Sequence, residues 1–334
     1  MNLNPYWGAG FFHVLALFFK RLFLFLTGQL SWQQMASDEV QIFVLVLLSF
    51  ASALIGTFLV LKRMTMLANS LSHTILLGIV IAYVVLLPFS QENPSHGLSI
   101  EVLLIASLIT GVITTVLTQL MTHLMKLQED ASIGLIFTSL FALGIIAVTV
   151  FTRNAHIGIE AIMGNIDALH FNDLKIMGLI GAVDFVVIML FFKEFKIVSF
   201  DSGLARSCGY PIQFFNYLLM VLTSATAIGA FRAVGVLLFL AFLVGLPLTA
   251  RLLTQRLHKM ILLAFVIGTV CSIVAVALSR HLLSIYKMPL STSGLVVTLI
   301  GCTYFLACLF SPHRGMFGVW TDFTRWRSRN QLNK

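Results

Sequence analysis

The chain has 334 residues, of which 59% are hydrophobic and only 10% are charged, and its net charge is +8. Soluble domains carry about 25% charged residues, so this composition excludes a protein that faces water over most of its surface. The mean hydropathy of +0.98 indicates a chain embedded in lipid, where only helices and closed barrels satisfy the backbone polar groups. The long apolar runs lack the alternation of barrel strands, so the sequence predicts an all-α, polytopic integral membrane helical bundle.

Three further function classes are excluded by what the sequence lacks. The positive charge does not indicate nucleic-acid binding, because no basic stripe with interleaved aromatic residues lies in a soluble domain. The four cysteines form no CxxC pair and predict neither a disulfide framework nor a thiolate metal site. No Walker A sequence is present, so we expect this chain not to be an enzyme and not to hydrolyse ATP by itself.

The first predicted element is residues 11–27, an apolar stretch that Lys20 and Arg21 interrupt. We expect an interfacial or partly spanning helix there, with a true span as the alternative. Nine later segments supply the roughly 20 apolar residues that one crossing of the bilayer needs. The sequence therefore predicts about nine transmembrane helices, within a range of about eight to ten. They are residues 41–62, 70–88, 100–126, 132–152, 174–193, 213–231, 233–251, 259–281 and 290–310.

The loops between these spans differ in charge. Most Lys and Arg residues lie in alternate loops, at residues 62–63, 126, 193–206 and 251–259, and in the tail after residue 312. Cationic loops face the cytoplasm, so we expect residue 40 outside and the carboxyl terminus inside. The predicted organisation is an amino-terminal segment at 1–37, a membrane domain at 38–312 and a basic cytoplasmic tail at 313–334.

Two loops are too long to be simple turns. The outer one covers residues 153–173, and the inner one covers residues 194–212 and ends just after Pro211. The inner loop contains Asp201 and Gly209, with a short predicted helix between them. A structured cytoplasmic loop in a protein without a soluble domain predicts a docking surface for another protein.

Polar residues inside the predicted spans are the candidates for function. Asn69 and His73 are four residues apart and share one helix face, next to the hydroxyl of Ser72. Imidazole is a common transition-metal ligand, and a polar face within the membrane usually lines the bundle interior or an aqueous path. From spacing alone, a hydrogen-bonded structural histidine remains the alternative. Asp184 is likewise either a functional intramembrane carboxylate or a residue that is paired or faces a water-filled cavity.

The span at 233–251 contains two helix-modifying residues. Pro247 removes one intrahelical hydrogen bond and predicts a kink, and Gly235 allows neighbouring helices to approach closely. Both are equally compatible with a packing function that has nothing to do with transport.

Together these stretches resemble the permease subunits of zinc-, manganese- and iron-type ABC importers, over roughly residues 38–312. Residues 62–73 resemble the arginine-rich turn of that family and its Gly-Asp-x-x-Ser-His motif. Residues 200–209 resemble its cytoplasmic coupling segment, and residues 232–251 resemble its long carboxyl-half motif. Residues 163–165 and 173–174 match the outer loop of the family more weakly.

The resemblance implies a permease that moves zinc, manganese or iron across the bacterial inner membrane by alternating access, with the metal bound transiently and no permanent cofactor. It implies a separate cytoplasmic ATP-binding subunit, a second permease and an extracytoplasmic metal-binding protein as partners. The implied coupling residues are Asp201, Leu204, Ala205, Arg206 and Gly209, and the implied metal-pathway residues are Asn69, Ser72 and His73.

The chain departs from the family at one motif. Asn69 stands where the family has an aspartate, and Ala68 stands where it has a glycine. The lost negative charge favours a heterodimer in which a different permease supplies the carboxylate.

Three other functions fit the sequence less well. An ion-coupled secondary transporter predicts several mid-membrane acids and two related halves, whereas Asp184 is the one clear acid and no internal repeat is visible. An ABC permease for an iron chelate or cobalamin gives no reason for the Ser72–His73 stretch. A receptor or scaffold would not need a structured loop at 194–212.

Overall fold

The structure is a computed structural model that describes residues 5–8, 10–29, 34–66, 70, 74, 77–78, 80–81, 84, 100–151 and 166–311. All regular elements in these ranges are helical, as the composition predicts. Most of the predicted span at 70–88 and the whole basic tail at 313–334 lie outside the described residues.

Twelve α-helices and two short turns have both ends among the described residues. In chain order they are α1 (Phe11–Leu26), α2 (Ser37–Lys62), α3 (Ile100–Leu124), α4 (Glu129–Phe151), a 3-10 turn (Ile166–Ala168), α5 (Phe171–Leu190), α6 (Phe192–Phe200), α7 (Ser202–Ser207), α8 (Ile212–Val234), α9 (Val236–Leu240), a π turn (Ala241–Gly245), α10 (Leu246–Leu253), α11 (Leu257–Tyr286) and α12 (Thr292–Phe310).

Five helical stretches among the described residues are long and apolar enough to cross a membrane, and a sixth follows if α5 and α6 form one bent span. Shorter apolar stretches lie in α3 and α4, at Ile109–Thr122 and Ala131–Ala147. The predicted class is therefore confirmed, whereas the count of nine is approximate. Helix α1 is not among the candidate spans.

Contacts divide the chain into two compact units. The terminal unit combines residues 1–57 with residues 241–334, and the central unit comprises residues 58–240. In the terminal unit α11 packs against α1, α10 and α12. Small residues allow close packing there, because a Cβ on Gly268 of α11 would collide with the Ser49 side chain of α2.

Buried ion pairs hold the first turn of α2 in the terminal unit. Glu39, only 3% exposed, accepts hydrogen bonds from Arg21 of α1 and, at 2.7 Å, from the Tyr6 hydroxyl. Burial and then the hydrogen bond to Glu39 raise the pKa of Tyr6 above its usual range. The neighbouring Asp38 pairs with Arg280 of α11. Carboxylates in the first turn also interact favourably with the helix dipole.

In the central unit α8 is the common neighbour of α3 and α5, and α3 also packs against α4. Four apolar residues of α5 lie on one exposed stripe with helical spacing: Leu179, Val183, Val186 and Leu190. Such a stripe is typical of a helix that faces lipid. The opposite face of α5 packs into the protein and contains Asp184.

The chain bends by 74° between α5 and α6, at Phe191. Residues 194–200, which the sequence assigned to a loop, continue as helix up to Phe200. The predicted short helix between Asp201 and Gly209 is present as α7.

Candidate transport and coupling sites

The predicted metal-pathway residues Asn69, Ser72 and His73 lie outside the described residues, so their assignment stays a prediction. Their described neighbours Ser70 and Thr74 are helical and buried, with exposures of 3% and 0%. Within the described ranges, no three His, Cys, Asp or Glu residues are grouped so that they could hold a metal ion.

Hydroxyl side chains line the helices α3 and α8, which pack against each other in the central unit. Seven of these hydroxyls lie 2.7–3.0 Å from the carbonyl oxygen four residues earlier; they belong to Thr110, Thr114, Thr118 and Thr122 on α3, and to Thr223, Ser224 and Thr226 on α8. These residues are not among the candidates predicted from the sequence. The four-residue spacing of the α3 threonines is the signal that could have found them.

Asp184 is buried in the central unit, with 1% of its surface exposed. Its Oδ2 lies 2.7 Å from the Thr226 hydroxyl of α8, whereas its Oδ1 has no hydrogen-bond partner among the described residues. The structure thus places this carboxyl inside the protein, away from the lipid-facing stripe of α5.

The predicted coupling residues form a capped and exposed short helix. The Asp201 carboxylate accepts a hydrogen bond from the Leu204 backbone N–H at 3.0 Å and so caps the amino end of α7. Ala205 is fully buried and anchors the helix, while Leu204 is 52% exposed and Arg206 is also exposed. An exposed apolar side chain beside a cation suits contact with another protein.

The carboxyl end of α7 is formed by a residue in a glycine-specific conformation. Gly209 has φ +79°, and its N–H donates to the Arg206 carbonyl at 3.1 Å. The next N–H, from Tyr210, donates to the Ala205 carbonyl at 3.0 Å, which satisfies a second free carbonyl.

An aromatic cluster connects α6 to the core of the central unit. The Phe195 ring is 0% exposed and lies 5.5 Å from the rings of Phe58 at the end of α2 and Phe215 at the start of α8. We call these three residues the aromatic anchor. Phe195 of α6 thus packs directly against rings of two other helices.

The predicted span at 233–251 is interrupted twice. Gly235 ends α8 with φ +85° and ψ 166°, a conformation available essentially only to glycine, so the backbone by itself requires a glycine at this position. The π turn directly precedes α10, in whose first turn Pro247 cannot donate to the Leu243 carbonyl. That carbonyl lies against Gly56 of α2, where an added Cβ would come within 3.0 Å of the carbonyl carbon.

Broken helices, a bent helix pair and a buried carboxyl within an apolar helical bundle define the class as a multi-pass membrane protein with the features of a transporter. The family follows from comparison with known proteins. Residues 39–311 match the ABC 3 transport family, and the chain belongs to that family.

Relatives agree with this family. The chain is 37% identical over 309 residues to a "Probable metal transport system membrane protein" of Chlamydia trachomatis, a match that covers 92% of this chain and 94% of the relative. It is also 37% identical to the manganese transport system membrane protein MntD of Bacillus subtilis over 284 residues, which cover 81% of this chain and 91% of the relative.

A solved structure has the same fold. PsaBC from Streptococcus pneumoniae, in complex with a Fab, aligns with a TM-score of 0.69 at 24% identity and covers 90% of this chain and 97% of that chain.

Proposed function

We propose that this chain is the membrane permease of an ATP-driven importer that moves a divalent transition metal, namely zinc, manganese or iron. The family match over residues 39–311 is the observation that carries the proposal. Relatives named for metal and manganese transport support the substrate class. Histidine and oxygen ligands suit all three metals, so the substrate is given as this group.

The energy source is a separate ATP-binding subunit, because this sequence contains no Walker A motif. Its docking surface is the coupling segment at 194–212, centred on α7. Asp201 and Gly209 shape this helix, Ala205 anchors it, and Leu204 and Arg206 present its exposed side. Closure of the ATP-binding subunits would push α7 and, through the aromatic anchor, the ends of α2 and α8.

The metal path is assigned to His73, Asn69 and Ser72, and the metal ion is bound only in transit. His73 offers an imidazole nitrogen and Asn69 a neutral oxygen, which together bind a divalent cation weakly enough for release. A second permease completes the pore, and the neutral Asn69 favours a heterodimer. An extracytoplasmic metal-binding protein delivers the ion at the outer face of the bacterial inner membrane, with the basic tail at 313–334 in the cytoplasm.

Uptake into vesicles tests the proposal. The complete transporter is reconstituted with ATP inside the vesicles, and uptake of radioactive Zn²⁺, Mn²⁺ and Fe²⁺ is measured. We expect ATP-dependent uptake of at least one of the three ions and a large loss of it in His73→Ala. His13→Ala is the matched control, because His13 is an exposed histidine of α1. Failure of the wild-type transporter to take up any of the three would refute the proposal.

The coupling assignment needs its own pair of variants. Asp201→Ala removes the cap of α7 at a cost of about 1 kcal/mol, whereas Asp201→Asn retains an oxygen that can cap. We expect the alanine variant to hydrolyse more ATP per metal ion transported and the asparagine variant to resemble wild type. Equal coupling ratios in both variants would rule out a function for the cap.

Native mass spectrometry of the purified complex shows whether the second permease is identical to this chain.

A further inference from the structure

Asp184 is a carboxyl in the interior of an apolar helical protein, and no described residue pairs it with a positive charge. It lies on the buried side of α5, whose opposite side exposes Leu179, Val183 and Val186. A carboxylate inside a membrane protein costs several kcal/mol unless a positive charge accompanies it. The identity of the positive charge that accompanies Asp184 therefore bears on the function of this residue.

No described residue supplies a fixed positive charge to Asp184. Its one hydrogen bond goes to Thr226, and Oδ1 has no described partner although the residue is only 1% exposed. The nearest titratable residues on α5 are Lys175 and Asp173, about 13 and 16 Å away along the helix axis. On α8, which contacts Asp184 through Thr226, the nearest titratable residues are Arg232 and Tyr217. Their backbone positions are about 9 and 13 Å from that of Thr226 along the helix axis. Helix α6 also packs against α5, and its titratable residues lie beyond the 74° bend; they are Lys193, Glu194 and Lys196.

The hydrogen bonds of Thr226 indicate where a proton lies. Its Oγ is 2.7 Å from Asp184 Oδ2 and 2.9 Å from the Leu222 carbonyl oxygen, but a hydroxyl has only one proton to donate. The neighbouring hydroxyls of α8, on Thr223 and Ser224, both donate to the carbonyl four residues earlier. If Thr226 does the same, its contact with Asp184 requires a proton on the carboxyl. Asp184 Oδ2–H then donates to Thr226 Oγ, and Thr226 donates to Leu222.

We propose that Asp184 is an exchangeable cation site, which holds a proton in this conformation and releases it when a divalent metal ion binds the carboxylate during transport. This inference rests on the proposed function. The neutral acid gives up its proton to water in the pathway, and the resulting carboxylate binds the metal through Oδ1. One proton leaves for each carboxylate that engages a metal ion, so the charge of the buried site rises by one rather than two.

Proton release and metal uptake, measured together, test this exchange. The complete transporter is reconstituted in vesicles with a pH-sensitive dye, and Mn²⁺ is added with ATP. The protons that ATP hydrolysis itself releases are calculated from the phosphate released and subtracted. Asp184→Asn keeps the shape of the side chain and can still donate to Thr226, but it cannot ionise. We expect Mn²⁺ uptake to fall about tenfold or more, a loss typical even of groups that only support a metal ligand. Mn²⁺-dependent proton release should fall by one proton per permease.

A second pair of variants separates exchange from packing. Thr226→Val removes the acceptor for the Asp184 proton and should shift the pH dependence of uptake. Thr223→Val removes a hydroxyl with the same helical hydrogen bond on the same helix and should leave that profile unchanged. In the metal-free protein, the infrared carbonyl band of a protonated carboxyl should be present in wild type and reduced in Asp184→Asn.

The outcomes distinguish this inference from the proposed function. Normal uptake and normal proton release in Asp184→Asn would show a purely structural acid and overturn the exchange, while the permease function would stand. Loss of uptake with unchanged proton release, or the reverse, would also overturn it, because exchange requires both to change. If the wild-type transporter takes up no metal ion, the proposed function itself fails.

Discussion

Replacing Phe195 by alanine should both destabilise the central unit and loosen its coupling segment. The side chain is fully buried, and its ring contacts those of Phe58 and Phe215, each 5.5 Å away. Truncation of a buried phenylalanine costs about 3–5 kcal/mol, because apolar contacts are lost and a cavity remains. Aromatic pairs at this distance contribute about 0.5–1.5 kcal/mol each to that sum.

A loss of about 3 kcal/mol changes a two-state equilibrium more than a hundredfold, which is enough to disconnect α6 from its neighbours. A push on α7 would then move α6 without moving α2 and α8. We expect Phe195→Ala to retain ATP hydrolysis by the complex but to transport fewer metal ions per ATP. Its melting temperature in detergent should fall by roughly 6 °C or more.

Phe200→Ala is the control for Phe195→Ala, because Phe200 belongs to the same helix but is 58% exposed. Its effect on stability should stay within about 0.5 kcal/mol. The two measurements are the melting temperature and the ratio of metal ions transported to ATP hydrolysed. Equal melting temperatures in the two variants, or an unchanged transport ratio in Phe195→Ala, would contradict the function of the aromatic anchor.

Two further predictions concern Gly56 and Arg280 of the terminal unit. Gly56→Ala would place a Cβ against the Leu243 carbonyl and should cost about 1–3 kcal/mol, whereas Gly134→Ala on α4 has open space and should be neutral or stabilising; thermal unfolding in detergent compares them. Arg280→Met removes the partner of the buried Asp38 and should cost about 3 kcal/mol, and adding Asp38→Asn should recover part of the loss. No recovery in the double variant would show that the buried charge is not the cause.

The sequence predicted these helices well because an apolar run and its length can be counted directly along the chain. The runs assigned to 41–62 and 290–310 correspond closely to Ser37–Lys62 and Thr292–Phe310. Hydropathy does not reveal where a helix is interrupted, because a break leaves the hydropathy of the run unchanged. The bend at Phe191 has neither a proline nor a glycine beside it, so no local sequence feature predicted it. Gly235 was visible, but its positive φ was not.

The candidate sites were predictable to different degrees for a related reason. Asp184 could be found because a charge inside an apolar run is conspicuous, and the Asp201–Gly209 segment because a cap and a terminator enclose it. The partner of Asp184 could not be found, because Thr226 is 42 residues away and is one of several hydroxyls on α8. Contacts between helices depend on rotation about the helix axis, which apolar runs without a clear polar face leave unspecified.

The negative charge beside the transported metal ion comes from one of two sources. Asn69 is neutral, so a divalent ion near it would lack the carboxylate that the family motif provides, and the proposed heterodimer supplies one from a second permease. Asp184 offers a carboxyl from within the same chain, but only after it loses its proton. If the partner permease supplies the charge, Asn69→Asp should not restore Mn²⁺ uptake to the Asp184→Asn variant. If Asp184 supplies it, Asn69→Asp should restore Mn²⁺ uptake to the Asp184→Asn variant, because one anionic ligand would again be present in each chain.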